Sequence, residues 1–256
     1  MRAMAVAAAS LALAAAAQQP PRPQPLLAGT TFQSPEARQM QLDDFANPGL
    51  LWVERGQRLW SEPRGAAGKS CASCHGDAGQ SMRTAAAHHP RYYPAAGQVL
   101  DLEGRINRCV TENEHAPALA WESEELLSLA AYVARQSKGA AIDAPLEAPA
   151  RDLYEQGRHL YFERQGQLNL ACTNCHDMNW GKTLFAERIS QGHPADWPAY
   201  RIEWQTLGSL QRRLRACYFG VRAELPAFGS QDLLALEVYL AARARGLELS
   251  PPGVRK

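Results

Sequence analysis

The strongest constraint in this sequence is a five-residue motif that occurs twice: "CASCH" at Cys71, Cys74 and His75, and "CTNCH" at Cys172, Cys175 and His176. C-x-x-C-H is the attachment signature of c-type haem. Chemistry sets the spacing, because two thiols must reach two vinyl groups as thioethers while the adjacent histidine falls under the iron as an axial ligand. One match alone is compatible with chance or a zinc half-site. Two matches in one chain assign haem attachment to Cys71, Cys74, Cys172 and Cys175, with His75 and His176 as iron ligands.

The motifs belong to a longer repeat. "VERGQRLW", ending at Trp60, and "YEQGRHLY", ending at Tyr161, align without a gap at the offset of 101 that separates Cys71 from Cys172. Downstream, "LLSLAAYV" (126–133) matches "LLALEVYL" (233–240). Val53, Gly56, Leu59 and Trp60, like Tyr154, Gly157, Leu160 and Tyr161, fall at i, i+3, i+6 and i+7, which predicts helices. Glycine inside a helix costs about 1 kcal/mol relative to alanine, so Gly56 and Gly157 predict a close backbone approach. The expected neighbour is the closing helix, with its Leu126, Leu129, Tyr132, Val133 face or the Leu233, Leu236, Tyr239, Leu240 equivalent.

A helix, the motif, a loop and a closing helix resemble a cytochrome c domain. The expected fold class is therefore all-α, with two tandem cytochrome c-type domains at 46–138 and 151–247. The stretch 139–150 has the Ala, Pro and Gly content of a linker. An N-terminal extension occupies 18–45 and a C-terminal tail 248–256. The extension lies outside both repeats, and its sequence leaves open whether it packs on a domain or meets a partner.

The chain opens "MRAMAVAAASLALAAAAQQ", in which Arg2 precedes an apolar run ending in small residues. These are the parts of a secretory signal peptide over 1–17, with cleavage near Ala17 and export to the periplasm. The run is about 15 residues, short of the roughly 20 that a bilayer span requires, so no membrane span is expected; the alternative is an uncleaved anchor. With 27 basic and 26 acidic residues the formal net charge is +1, which argues against a nucleic-acid or membrane-surface binder. Any electrostatic function must be local.

A second axial ligand is needed on each iron. Met82 and Met178 follow their motif histidines too closely for the usual distal position, and Met40 precedes both domains. His88, His89, His115, His159 and His193 are candidates, but none recurs at equivalent places. The remaining cysteines do recur: Cys109 in "GRINRCV" and Cys217 in "RRLRACY" are 108 positions apart, against 107 for the closing helices. They fall between motif and closing helix, where a distal ligand belongs. Two readings stay open, distal thiolate ligation and a Cys109–Cys217 disulfide, which an exported setting favours.

An anionic sulfur stabilises the ferric state and lowers the potential relative to methionine, a poor choice for a simple high-potential carrier. Arginine beside a thiolate raises the fraction available for attack, and its planar fork binds oxyanions. Arg212, Arg213, Arg215 and Arg222 flank Cys217, whereas Cys109 has Arg105 and Arg108 before it and the acidic Glu112 and Glu114 after it. The second site reads as built for an anion and the first as an ordinary ligand. The alternative places these arginines on a solvated helix or against haem propionates.

"EARQMQLDDFANPGLLWVERGQRLW" and "RRLRACYFGVRAE", with the two motifs, resemble the SoxA family over nearly the whole mature length. That family supplies the dihaem subunit of the SoxAX complex of sulfur-oxidising bacteria. The resemblance implies two covalently attached haem c groups with Cys109 and Cys217 as distal metal ligands. It implies that Cys217 is catalytic as a cysteine persulfide, and that Arg213, four residues before it, is catalytic and binds substrate, with Arg222 a further substrate-binding candidate.

The implied activity is L-cysteine S-thiosulfotransferase, which joins thiosulfate to a cysteine of the carrier protein SoxY and passes two electrons through haem to a cytochrome c acceptor. The implied partner in a heterodimer is the monohaem cytochrome SoxX. The competing readings are a dihaem electron-transfer cytochrome without a bond-forming role, and a thiosulfate dehydrogenase that forms tetrathionate.

Overall fold

The computed structural model describes residues 22–256, so the expected signal peptide lies outside the described residues. Ahead of the repeats, α1 (Pro35–Leu42) starts at Ser34, whose side chain accepts the Ala37 amide. The first repeat runs α2 (Leu50–Ser61), α3 (Cys71–His75), α4 (Ala78–Ser81), the hairpin β1 (Arg91–Tyr93) and β2 (Gln98–Leu100), α5 (Leu102–Glu112) and α6 (Glu124–Gln136). The second runs α7 (Ala148–Phe162), α8 (Cys172–His176), the hairpin β3 (Thr183–Leu184) and β4 (Glu187–Arg188), the hairpin β5 (Ala199–Arg201) and β6 (Thr206–Gly208), α9 (Leu210–Gly220) and α10 (Gln231–Arg243). A last strand, β7 (Gly253–Arg255), pairs parallel with β5.

The core is helical, as the sequence predicts, but the described residues also contain seven short strands that an all-α plan omits. Most fall between motif and distal helix, where the chain reverses and must satisfy its backbone groups without a helix.

Two helix pairs build the cores: α2 against α6, and α7 against α10. A Cβ on Gly56 would lie 2.0 Å from the Ser128 carbonyl oxygen, and one on Gly157 1.9 Å from that of Ala235. The glycines therefore stand where one backbone touches the next, as their place inside a helix predicts. Leu126, Leu129 and Val133, like Leu233, Leu236, Tyr239 and Leu240, are buried at these crossings. The caps repeat too: Asp101 and Ser209 start α5 and α9, and Ser123 and Ser230 start α6 and α10, each accepting an amide of the first turn.

The stretch between the repeats is a packed seam. Ile142 and Ala144 are buried with Ala87 of the first repeat and Ala195, Ala241 and Ala244 of the second. The Ile142 amide donates to the Leu247 carbonyl and the Asp143 amide to that of Ala87, both at 2.9 Å.

The N-terminal extension packs as well. Gln41 donates to Asp196 at 3.1 Å and accepts from the Val254 amide at 3.0 Å and from Arg255 at 2.8 Å. Asp196 also accepts from Thr30 and pairs with Arg255. The extension thus clamps β7 onto β5, and their register places Arg255 beside Arg201.

Candidate haem and anion site

Each motif forms a single helical turn, α3 or α8, so its two cysteines and histidine stand on a rigid element. Ser70 and Ser73 cap the first turn reciprocally, and Asn174 accepts the Ala171 amide at 2.8 Å at the second. The ring of His176 is fixed from behind: its Nδ1–H donates to the Ser190 carbonyl at 2.8 Å. A carbonyl can only accept, so this bond sets the tautomer and leaves Nε2 free as a metal ligand, the usual support for a ligating histidine. Gly192, at φ +73, presses on the same ring, and a Cβ there would stand 3.0 Å from it.

α9 brings Cys217 to the other side, where its sulfur stands close to His176. Burial would push this thiol up, but Arg213 beside it, with His176 and Arg201 nearby, brings it down to about 6. Cys172 is pushed up to about 12 and Cys175 upward, in both cases chiefly by burial. Cys217 is thus the sulfur of its group whose surroundings favour the thiolate. It holds Arg213 in return, raising the arginine's affinity for its proton.

The first site is the electrostatic opposite. Arg105 stands four residues before Cys109 as Arg213 does before Cys217, yet burial pushes the Cys109 thiol up and Glu114 adds to it. Buried Glu114 pairs with Arg64 at 3.2 Å and lies 3.5 Å from the Cys71 sulfur, which burial and that carboxylate push up to about 12. Arg108 is neutralised by Glu112 at 2.8 Å. His75 packs against Trp60, ring centroids 5.8 Å apart, and the Trp60 indole N–H donates to the Gly76 carbonyl at 2.9 Å.

These residues fit a haem c at each motif. The donor set is one imidazole and one thiol approached from separate elements, with two thiols on the motif turn for thioethers. Among the described residues no three His, Cys, Asp or Glu side chains converge as a bare metal ion would require. Near His176 the buried Nε of Arg22 and Nε of Arg243 have no partner. Buried donors of this kind call for an acceptor, which the carboxylates of a haem would supply.

Of the other candidates, Met178 is 58% exposed. His89 uses Nδ1 on the Ala85 carbonyl and Nε2 on the Tyr93 hydroxyl, both at 2.6 Å, and His159 sits on the surface beside Glu163. All six cysteines are free, so the Cys109–Cys217 disulfide is not formed, and each of the two stands by its own motif.

The arginines around Cys217 separate into two groups. Arg212 stacks on Trp204 at 4.3 Å and Arg215 on Phe228 at 4.3 Å, away from the sulfur. Arg222 is exposed, in a left-handed turn just past α9. Arg213 is at the sulfur, and with it comes Arg201 of β5, which lies outside the arginine cluster at 212–222. Arg201 pairs with Glu187 at 3.2 Å and Glu203 at 2.8 Å. The available signal was the hairpin repeat: Arg201 stands 108 positions after Tyr93, the offset of the distal cysteines.

Comparison with known proteins agrees with this geometry. The family described as the SoxA/TsdA cytochrome c domain matches residues 55–142, and a cytochrome c domain carries covalently bound haem c. The chain is 40% identical over 231 residues to the L-cysteine S-thiosulfotransferase subunit SoxA of Pseudaminobacter salicylatoxidans, covering 90% of this chain and 81% of that one. It is 34% identical to the subunit of the same name from Rhodovulum sulfidophilum, covering 89% and 79%. Among solved structures, SoxXA from P. pantotrophus matches with a TM-score of 0.87 at 34% identity, over 90% of this chain and 87% of that chain.

Proposed function

This chain belongs to the SoxA family, and from that premise we propose that it is the catalytic subunit of an L-cysteine S-thiosulfotransferase. It works in the periplasm in a heterodimer with a SoxX-type monohaem cytochrome, and conjugates thiosulfate to a cysteine of the SoxY carrier. Two haem c groups are held, one through Cys71, Cys74, His75 and Cys109, the other through Cys172, Cys175, His176 and Cys217. The observation that carries the reading is the contrast between the surroundings of the two distal sulfurs: Arg213 and Arg201 stand by Cys217, while at Cys109 the arginine Arg105 is joined by the buried carboxylate Glu114.

Haem c, when bound, supplies a one-electron acceptor next to that sulfur. The chain's own residues do the rest. Arg213 presents a planar fork to the thiosulfate dianion and aims its sulfane sulfur at Cys217, with Arg222 at the exposed rim. The Cys217 thiolate and thiosulfate join through a new S–S bond and lose two electrons to the cytochrome c acceptor. The carrier thiolate then attacks that sulfane sulfur. The bond to Cys217 breaks, the carrier leaves as an S-thiosulfonate and the Cys217 thiolate is restored, an exchange of the thiol–disulfide type. A persulfide on Cys217 puts the same chemistry one sulfur further out.

The test is to incubate the complex with thiosulfate, oxidised acceptor and carrier, and to weigh the carrier by mass spectrometry. The expected gain is one thiosulfate less two electrons. A Cys217→Met variant should remain haem-loaded and reducible but leave the carrier unmodified. Conjugation by that variant at the wild-type rate sinks the proposal. An unmodified carrier with the wild type favours an electron carrier, and tetrathionate in the medium a thiosulfate dehydrogenase.

A further inference from the structure

The two repeats differ most sharply at one position of their hairpins. β1–β2 and β5–β6 are antiparallel pairs in the same register, with Tyr93 opposite Gln98 and Arg201 opposite Thr206. Tyr93 and Arg201 close their strands at the offset that also relates Arg105 to Arg213 and Cys109 to Cys217. In the first repeat Arg105 lies 4.8 Å over the Tyr93 ring, and the Tyr93 hydroxyl is bound to His89, so the position is neutral and satisfied. In the second repeat it carries a guanidinium.

Arg201 is built into the fold. It is 4% exposed, on the middle strand of the sheet β6–β5–β7, with its guanidinium carbon 4.9 Å from the centre of the Trp204 ring. One terminal nitrogen meets Glu187 and Glu203, while Nε is buried without a partner. A guanidinium offers five donors, so the side chain is underused where it stands. Its neighbour Arg255 is committed to Asp196 and Gln41. The two carboxylates on Arg201 are the solvent-exposed members of the group, with side chains 39% and 65% exposed, and they also act on Arg213. Either can return to water at little cost.

The geometry points to Arg201 as a second anion-binding residue of the Cys217 site, with Glu187 and Glu203 as the carboxylates that an incoming divalent oxyanion displaces. Arg201 and Arg213 together carry two positive charges, and the two glutamates supply two negative ones beside that of the Cys217 thiolate. A dianion replaces both carboxylates charge for charge, whereas a monoanion makes good only one of the two. The arrangement selects thiosulfate-like dianions by charge, and Glu187 and Glu203 set the threshold an anion must exceed. This inference rests on the reading of Cys217 as the thiosulfate site.

The experiment is calorimetric titration of thiosulfate into the haem-loaded complex with the electron acceptor withheld, for wild type, Arg201→Gln, Glu187→Gln and Glu203→Gln. Arg201→Gln should weaken binding roughly 30-fold, the loss of a charge-assisted contact. Glu187→Gln and Glu203→Gln should tighten it about threefold or more, by removing the competitors. Steady-state rates should show the same changes in KM, with kcat within about twofold. Wild-type affinity in Arg201→Gln overturns the assignment. If Arg201→Gln fails to assemble with normal haem absorption, the glutamate variants decide, and affinity unchanged or weakened in both overturns it. Wild type that binds thiosulfate yet never modifies the carrier overturns the conjugation reading and not this one.

Discussion

Asp101 and Gln211, 110 positions apart, share a buried hydrogen bond of 2.8 Å that ties together the first turns of α5 and α9. These are the helices that carry Cys109 and Cys217. Each partner has a second duty: Asp101 caps α5 by accepting the Gly104 amide at 2.7 Å, and Gln211 accepts the Gly229 amide at 2.8 Å. Asp101→Ala removes a cap and strands a buried amide, so it should cost about 2–3 kcal/mol in a denaturant titration. Asp101→Asn keeps the cap acceptor and should cost less.

The same bond borders a cluster of acids between the repeats. Asp101, Glu103 and Glu237 line a cavity of about 80 Å³. Burial pushes Asp101 up to about 6 and Glu103 up to about 8, and burial with the neighbouring carboxylates pushes Glu237 higher than an ordinary glutamate. The native cluster therefore binds protons more tightly than the unfolded chain, whose carboxyls titrate near ~4. Stability contributed here is full below pH ~4 and falls as pH rises through the native values. Melting temperature should drop between pH 5 and pH 8 on the order of several degrees, and Glu237→Gln should flatten that slope and raise stability at pH 8.

Gly157→Ala tests the crossing of α7 and α10. Alanine gains about 1 kcal/mol in helix propensity, but its Cβ would meet the rigid Ala235 backbone rather than a flexible side chain. Overpacking of about 3 kcal/mol should win, for a net loss of about 2 kcal/mol by thermal or chemical denaturation. Gly56→Ala should behave alike against Ser128.

Arg213→Gln should lower kcat/KM for thiosulfate roughly 100-fold, about 3 kcal/mol, because it removes both the anion contact and the charge that holds Cys217 as a thiolate. Arg105→Gln, at the equivalent place in the first repeat, should change kcat/KM less than about threefold. Equal losses in the two variants would argue against an asymmetric pair of sites.

Much of this was legible because the repeat keeps strict offsets. The motifs, the two glycine crossings and the pairing of Cys109 with Cys217 as equivalents follow from residue identity and spacing alone. Arg201 was not legible in the same way, since its equivalent is a tyrosine and the two share only a place in a hairpin. The offset grows from 101 at the motifs to 108 at the hairpins. The added residues lie where the second repeat folds β3–β4, which delivers Glu187 to Arg201. Only the third dimension joins those two residues to Arg213. The stretch 139–150 likewise has the composition of a linker, but burial of Ile142 is a property of what surrounds it.

That buried seam has a consequence for the chain as an object. With Ile142 and Ala144 buried among residues of both repeats, parting the halves would expose apolar surface on each. The repeats should melt in one cooperative transition, and a protease should find no cut between them that leaves two stable fragments. An architecture that reads as two copies of one unit has become indivisible.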